Sequence, residues 1–154
     1  MQIVIHHHEE VRFSATCGEH EVAIDLPLSH GGSNAGMTPP QLFVAALGGC
    51  AGVYVADYCD SQGIDYRGMR LMLDWQTVER PRRIGGVRLR LELPCELTPE
   101  QHAGLRSSVQ QCLLHNTLAQ KPAFDIDVVA TEAVAPAAMA AARCDDGACC
   151  RAPA

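Results

Sequence analysis

Alternation of apolar and polar positions dominates the start of the chain. Val11, Phe13, Ala15 and Cys17 alternate with polar residues, and Val22, Ile24 and Leu26 do so again after Gly18-Glu19-His20. A period of two on either side of a turn predicts a β-hairpin, with an earlier strand over Ile3 to His7. A Gly/Ser/Asn loop from Ser29 to Gly36 follows, and the period then changes. Thr38 is a good N-cap and Pro39 suits the first helical position, so a helix is expected from about Pro39 to Ser61, stopping near Gln62-Gly63. Its small and apolar residues run nearly all round, with few charges until Asp57. Such a helix is buried inside a protein or in a subunit interface.

Met69 to Val78 and Val87 to Leu93 read as strands, joined through the Arg-rich turn Glu79 to Gly86. Leu97-Thr98-Pro99-Glu100-Gln101 opens a second helix, with Thr98 as cap and Gln101 completing a capping box. That helix is expected to reach about Leu114. Phe124, Ile126 and Val128 alternate in a last expected strand. The order β-β-β-α-β-β-α-β is an α+β architecture, with helices covering one side of antiparallel sheet. From Ala133 the composition shifts to Ala and Pro and then to Cys, which divides the chain into a domain over 1–133 and a tail over 134–154.

Composition narrows the function classes. At 154 residues the chain is long enough to bury a real core, and with 47% hydrophobic but only 5% aromatic residues that core must be aliphatic. A net charge of −6 argues against a general nucleic-acid or anionic-membrane binder. No run approaches the roughly 18 residues that span a membrane, and Met1-Gln2-Ile3-Val4-Ile5 does not open like a signal peptide. The expected location is the cytoplasm, where the eight cysteines stay reduced rather than forming a disulfide scaffold. His6-His7-His8 reads as a chance polar run in a strand.

Candidate chemistry therefore centres on thiols. Cys17, Cys59 and Cys95 read as small hydrophobes, the usual role of a free cysteine. Cys50 differs because Gly48-Gly49 precede it, and two glycines inside a helix cost roughly 1 kcal/mol each unless backbone or ligand must come close. Cys112 lies near a helix end with His115 one turn later on the same face. A nearby cation would lower a thiol pKa and raise the thiolate fraction that attacks. Cys144, Cys149 and Cys150 could take a soft metal with Asp145 or Asp146, but their spacing matches no usual zinc pattern. Arg80, Arg82, Arg83, Arg88 and Arg90 read as a solvated hairpin rather than an anion site. Gly31 to Gly36 lacks the lysine and strand-to-helix setting of a phosphate loop.

The segments Thr38-Pro39-Pro40-Gln41-Leu42-Phe43-Val44-Ala45-Ala46-Leu47-Gly48-Gly49-Cys50 and Cys112-Leu113-Leu114-His115-Asn116-Thr117-Leu118 resemble the two cysteine motifs of the OsmC/Ohr superfamily of bacterial thiol peroxidases. Asp25-Leu26-Pro27, Gly31-Gly32 and the hairpin from Trp75 to Leu93 fit as well, so the resemblance spans roughly residues 3–130. It implies an intertwined homodimer with cysteine-bearing helices packed between two sheets. It also implies reduction of organic hydroperoxides without metal or organic cofactor. Cys50 would be the peroxidatic thiolate and Cys112 its resolving partner, with a dithiol or lipoylated protein as reductant.

One departure stands out. The Ohr branch activates its thiolate with an arginine of the N-terminal hairpin and a glutamate at the start of the first cysteine helix. Those positions align by eye with Glu19 and Pro40, and Arg12, Arg80 and His115 are the candidates to replace them. The resemblance is therefore to the OsmC-like branch. Two rival readings follow: a non-enzymatic binder of a small apolar or electrophilic ligand at the dimer interface, and a metal or thiol sensor acting through the tail.

Overall fold

The computed structural model describes residues 2–130. Cys144, Cys149, Cys150, Asp145 and Asp146 lie outside the described residues. Packing divides the chain into a unit Met1–Pro122, which carries every helix and strand described, and a unit Ala123–Ala154.

The first unit begins with an antiparallel meander, β1 (Val4–Glu9), β2 (Arg12–Cys17) and β3 (His20–Ile24), in that spatial order. Phe13 faces Ile24 and Cys17 faces His20 across β2–β3, so the hairpin stands where the alternation placed it. Gly18 takes φ +60° at its turn, a conformation open to glycine without strain.

The loop after β3 is built around one carboxylate. Asp25 is 1% exposed and accepts hydrogen bonds from Leu26 N–H (2.7 Å), Ser33 N–H (3.0 Å), Ser33 Oγ–H (2.7 Å) and Ala35 N–H (2.9 Å). Bonds from Ala35 and the Ser33 hydroxyl outweigh burial and pull its pKa down to about 2. The Gly/Ser/Asn segment is thus folded onto Asp25 and delivers Thr38 in place.

Helix α1 (Pro39–Gln62) starts with Thr38 and Gln41 in a reciprocal capping box and ends at Gly63 in a left-handed conformation. Val44, Gly48, Ala51, Val55 and Cys59 form its buried stripe, at helical spacing. They pack toward the hairpin of β4 (Arg70–Glu79) and β5 (Arg82–Glu92). Gly48 is explained by this packing, because a Cβ there would come within 2.6 Å of Leu73 Cδ1. Gly49 faces open space.

Helix α2 (Pro99–Gln110) carries the expected Thr98–Gln101 capping box. Its Gly104 lies under the Tyr58 ring of α1, where a Cβ would collide. Leu105 joins Val55, Cys59 and Ile64 in the core.

Four expectations need correction. The second helix does not run on to Leu114: it ends at Gln110, and a separate helix α3 covers Leu113–Ala119. The break is a tight closing turn, with Gln111 N–H on Ser108 O (3.1 Å) and Cys112 N–H on Val109 O (3.2 Å), and no glycine or proline marks it. The Arg-rich segment is mostly strand rather than turn, since β5 starts at Arg82. Gly85 marks the register shift opposite Gln76 and Thr77, where a Cβ would sit 2.5 Å from Val78 Cγ1. The strand expected over Phe124 to Val128 is not formed among the described residues; Phe124, Ile126 and Val128 are exposed. Alternation marks a possible strand face, but a strand also needs a neighbour to pair with. Finally, α1 is long and apolar enough to cross a membrane by length and composition, with mean hydropathy 1.5 over 18 residues. Its Ala, Gly and Cys residues space out the large aliphatic side chains without breaking the apolar run.

Two predictions follow from this packing. Gly48→Val overpacks the α1–Leu73 contact and should cost about 1–3 kcal/mol in chemical denaturation. Asp25 adds stability fully above its unfolded value of 3.8, and this is lost as pH falls through about 2. Acid melts of wild type should therefore steepen in that window, and Asp25→Ala should melt lower at neutral pH and lack the step.

Candidate functional site

The buried stripe of α1 places Cys50 beside Ala51, at the edge of the packed face, where it is half-buried. Cys112 reaches the same point from the other side. It is the N-cap of α3 with extended backbone (φ −55°, ψ 130°), and only 2% exposed. The two sulfurs lie within hydrogen-bonding reach of each other. Residues far apart in the chain thus form one thiol pair.

The start of α3 also supplies two donors. The first N–H groups of any helix have no partner within it, and the Cys112 side chain closes no cap hydrogen bond. Leu114 and Leu113 N–H are within reach of the Cys50 sulfur. Burial pushes the Cys50 thiol up, but the Cys112 thiol and these two amides pull it down and prevail, leaving it below the ordinary thiol value. Cys112 moves the opposite way: burial raises it first, and its bond to Cys50 raises it further. The two thiols are thus polarised in opposite senses, Cys50 losing its proton more readily than Cys112.

Next to the pair is a cavity of about 800 Å³. Pro40, Phe43 and Leu47 of α1 form part of its wall, with Leu73 and Leu89 from the hairpin. Cys112 lines it; Cys50 is not a lining residue but its neighbour Ala51 is. Among the described residues, Arg83 and His115 are the cationic or potentially cationic side chains on the wall, and no carboxylate lines it.

The residues singled out from the sequence separate clearly. Cys50 and Cys112 come together, and His115 lines the cavity with Cys112. Pro40 lines the cavity without a side chain that can hydrogen-bond. Glu19 sits exposed at the β2–β3 turn, Arg12 is engaged with Glu9 at 2.9 Å, and Arg80 lies at the exposed β4–β5 turn. Cys59 is fully buried, as expected of a small hydrophobe, whereas Cys17 is half-buried and Cys95 is exposed. Arg83 and the amides of Leu113 and Leu114 escaped sequence reasoning. Arg83 was hidden in a stretch that looked like a solvated turn, and backbone donors have no residue signature.

Comparison with known proteins identifies the family and the fold. A family model described as OsmC-like protein matches residues 31–127, which contain both cysteines and the helices that hold them. The chain belongs to the OsmC-like protein family. No curated protein sequence matches it. Among solved structures, one from Psychrobacter arcticus 273-4, named for an osmotic-stress-induced detoxification response, is similar with TM-score 0.71 and 18% identity, covering 76% of this chain and 87% of the other. An OsmC-like protein from Mycoplasma pneumoniae has TM-score 0.68 and 14% identity, covering 78% and 87%. The organic hydroperoxide resistance protein OhrB of Bacillus subtilis has TM-score 0.54 and 18% identity, covering 78% and 90%. At these identities the likeness establishes the OsmC-like fold.

The pH dependence of Cys50 tests the electrostatics of this OsmC-like site. Thiol alkylation followed by mass spectrometry should give a Cys50 midpoint below that of an ordinary thiol. Cys112→Ala removes one donor and should shift the midpoint upward, while the Leu113 and Leu114 amides keep part of the effect. An unchanged midpoint would show that the two sulfurs do not interact.

Proposed function

We propose that this chain reduces organic hydroperoxides through Cys50 and Cys112. The observation that carries the reading is a sulfur pair with opposed pKa shifts beside an apolar cavity of about 800 Å³. Membership of the OsmC-like family supports it.

The Cys50 thiolate attacks a peroxide oxygen, the O–O bond breaks, and Cys50 becomes a sulfenic acid. The departing alkoxide takes a proton from the Cys112 thiol and leaves as the alcohol. Cys112, now a thiolate in contact with the oxidised sulfur, attacks it, forms the disulfide and releases hydroxide, which is protonated to water. A dithiol or a lipoylated protein returns the pair to thiols by exchange. Backbone amides and the neighbouring thiol stabilise the Cys50 thiolate in place of the arginine and glutamate of the Ohr branch. The cavity wall suits the alkyl part of an alkyl or fatty-acid hydroperoxide, and Arg83 gives an anionic head a partner. Exposed Phe43 and Val53 on α1 support a homodimer as the working unit.

A second reading is a non-enzymatic binder that uses the same cavity. Pro40 on its wall and the lack of a lining carboxylate among the described residues favour it. The pKa of Cys50 separates the two: a value in the ordinary thiol range favours binding.

Turnover decides the matter. With cumene hydroperoxide and dihydrolipoamide, wild type should consume peroxide and accumulate a Cys50–Cys112 disulfide when the reductant is withheld. Cys50→Ser should lose activity by orders of magnitude, and Cys112→Ser should leave a sulfenic acid on Cys50 that dimedone traps. Full turnover in Cys50→Ser rejects the proposal. For a hydroperoxide bearing a carboxylate, Arg83→Met should raise KM several-fold while leaving cumene hydroperoxide unaffected.

A further inference from the structure

Away from the site, Cys59 and Cys95 form a second thiol arrangement. Cys59, in the last turns of α1, is fully buried in the cluster of Val55, Ile64 and Leu105. The chain bends at Pro94 and Cys95 just after β5. Leu93 and Leu97, two residues to either side of Cys95, both pack against the cluster that holds Cys59. Anchored at both ends, so short a segment spans at most about 14 Å and keeps its middle residue over the cluster. Cys95 itself is exposed. After burial, the charge of Cys95 is the next cause raising the Cys59 thiol, ahead of Asp60, its neighbour in the chain. This influence agrees with the placement that Leu93 and Leu97 give the segment beside the cluster holding Cys59.

We propose that Cys95 is an oxidation site for organic hydroperoxides and that Cys59 resolves it, closing a disulfide between the end of α1 and the segment that leads into α2. The Cys95 thiolate attacks a peroxide oxygen, the O–O bond breaks, and the alkoxide takes a proton and leaves as alcohol. Cys95 is then a sulfenic acid. Cys59 gives up its proton and attacks the Cys95 sulfur; the S–O bond breaks, water leaves and the S–S bond forms. Two thiols and one hydroperoxide become one disulfide, one alcohol and one water. Exposure assigns the first step to Cys95, and burial with a raised pKa keeps Cys59 inert until its partner is oxidised. The bond would join the helix that carries Cys50 to the one that leads into Cys112, stiffening the frame of the first pair. It does not depend on turnover at Cys50.

The test uses the full chain with Cys50→Ser and Cys112→Ser, so that failure of the peroxidase reading leaves it untouched. The protein is treated with cumene hydroperoxide, its remaining thiols are alkylated, and peptides are mapped by mass spectrometry; wild type is mapped in parallel in case the double variant folds poorly. The expected result is a linked Cys59–Cys95 peptide and a higher Tm, both reversed by dithiothreitol. Adding Cys95→Ser should leave Cys59 as a free thiol and remove the Tm gain. Cys59 recovered free in wild type, whether Cys95 is unmodified, overoxidised or linked to another cysteine, overturns the proposal.

Discussion

Burial of one stripe of α1 against the β4–β5 hairpin governs the rest of the molecule. Val44, Gly48, Ala51, Val55 and Cys59 follow helical spacing, so covering them fixes the rotation of the helix. Cys50 then sits at the edge of the packed face, half-buried, instead of in the core or free in solvent. Gly48 lets the helix approach Leu73, and Gly104 lets α2 pass under Tyr58. With α2 held at that distance, the closing turn after Val109 brings Cys112 against Cys50.

The chemistry of the pair rests on hydrogen bonds more than on a formal cation. A thiolate with burial against it would stay protonated, and here burial is the largest single influence on Cys50. A neighbouring thiol and two helix-start amides overcome it, because hydrogen bonds to an ionised group are worth about 1.5–3 kcal/mol each. This OsmC-like chain thereby keeps a polarised thiol pair. The cost falls on Cys112, which holds its proton more tightly for the same reason. The wall of the adjoining cavity is mostly apolar.

Much of the secondary structure was legible in the sequence because its causes are local. Thr38 and Thr98, each with proline next and glutamine three residues on, form the capping boxes expected of them. The β2–β3 hairpin follows from alternation and Gly18. Where the cause is not local, the reading failed. Gly85-Gly86 looked like a turn and is a bulge, the break at Gln111 has no breaker residue, and alternation at Phe124 to Val128 has no paired strand among the described residues.

The site divides along the same line. Cys50 and Cys112 could be singled out from the residues beside them, and the family resemblance linked them, because motif spacing is written along the chain. That the sulfurs meet, that two amides at the start of α3 face one of them, and that Arg83 rather than Arg12 or Arg80 borders the cavity were settled by packing. Glycine at position 48 was visible as a cost to the helix; its reason, Leu73, belongs to another element. Local propensity acts between residues a few positions apart, whereas a thiol pKa depends on whatever the fold brings within a few ångströms, and no one-dimensional pattern carries that distance.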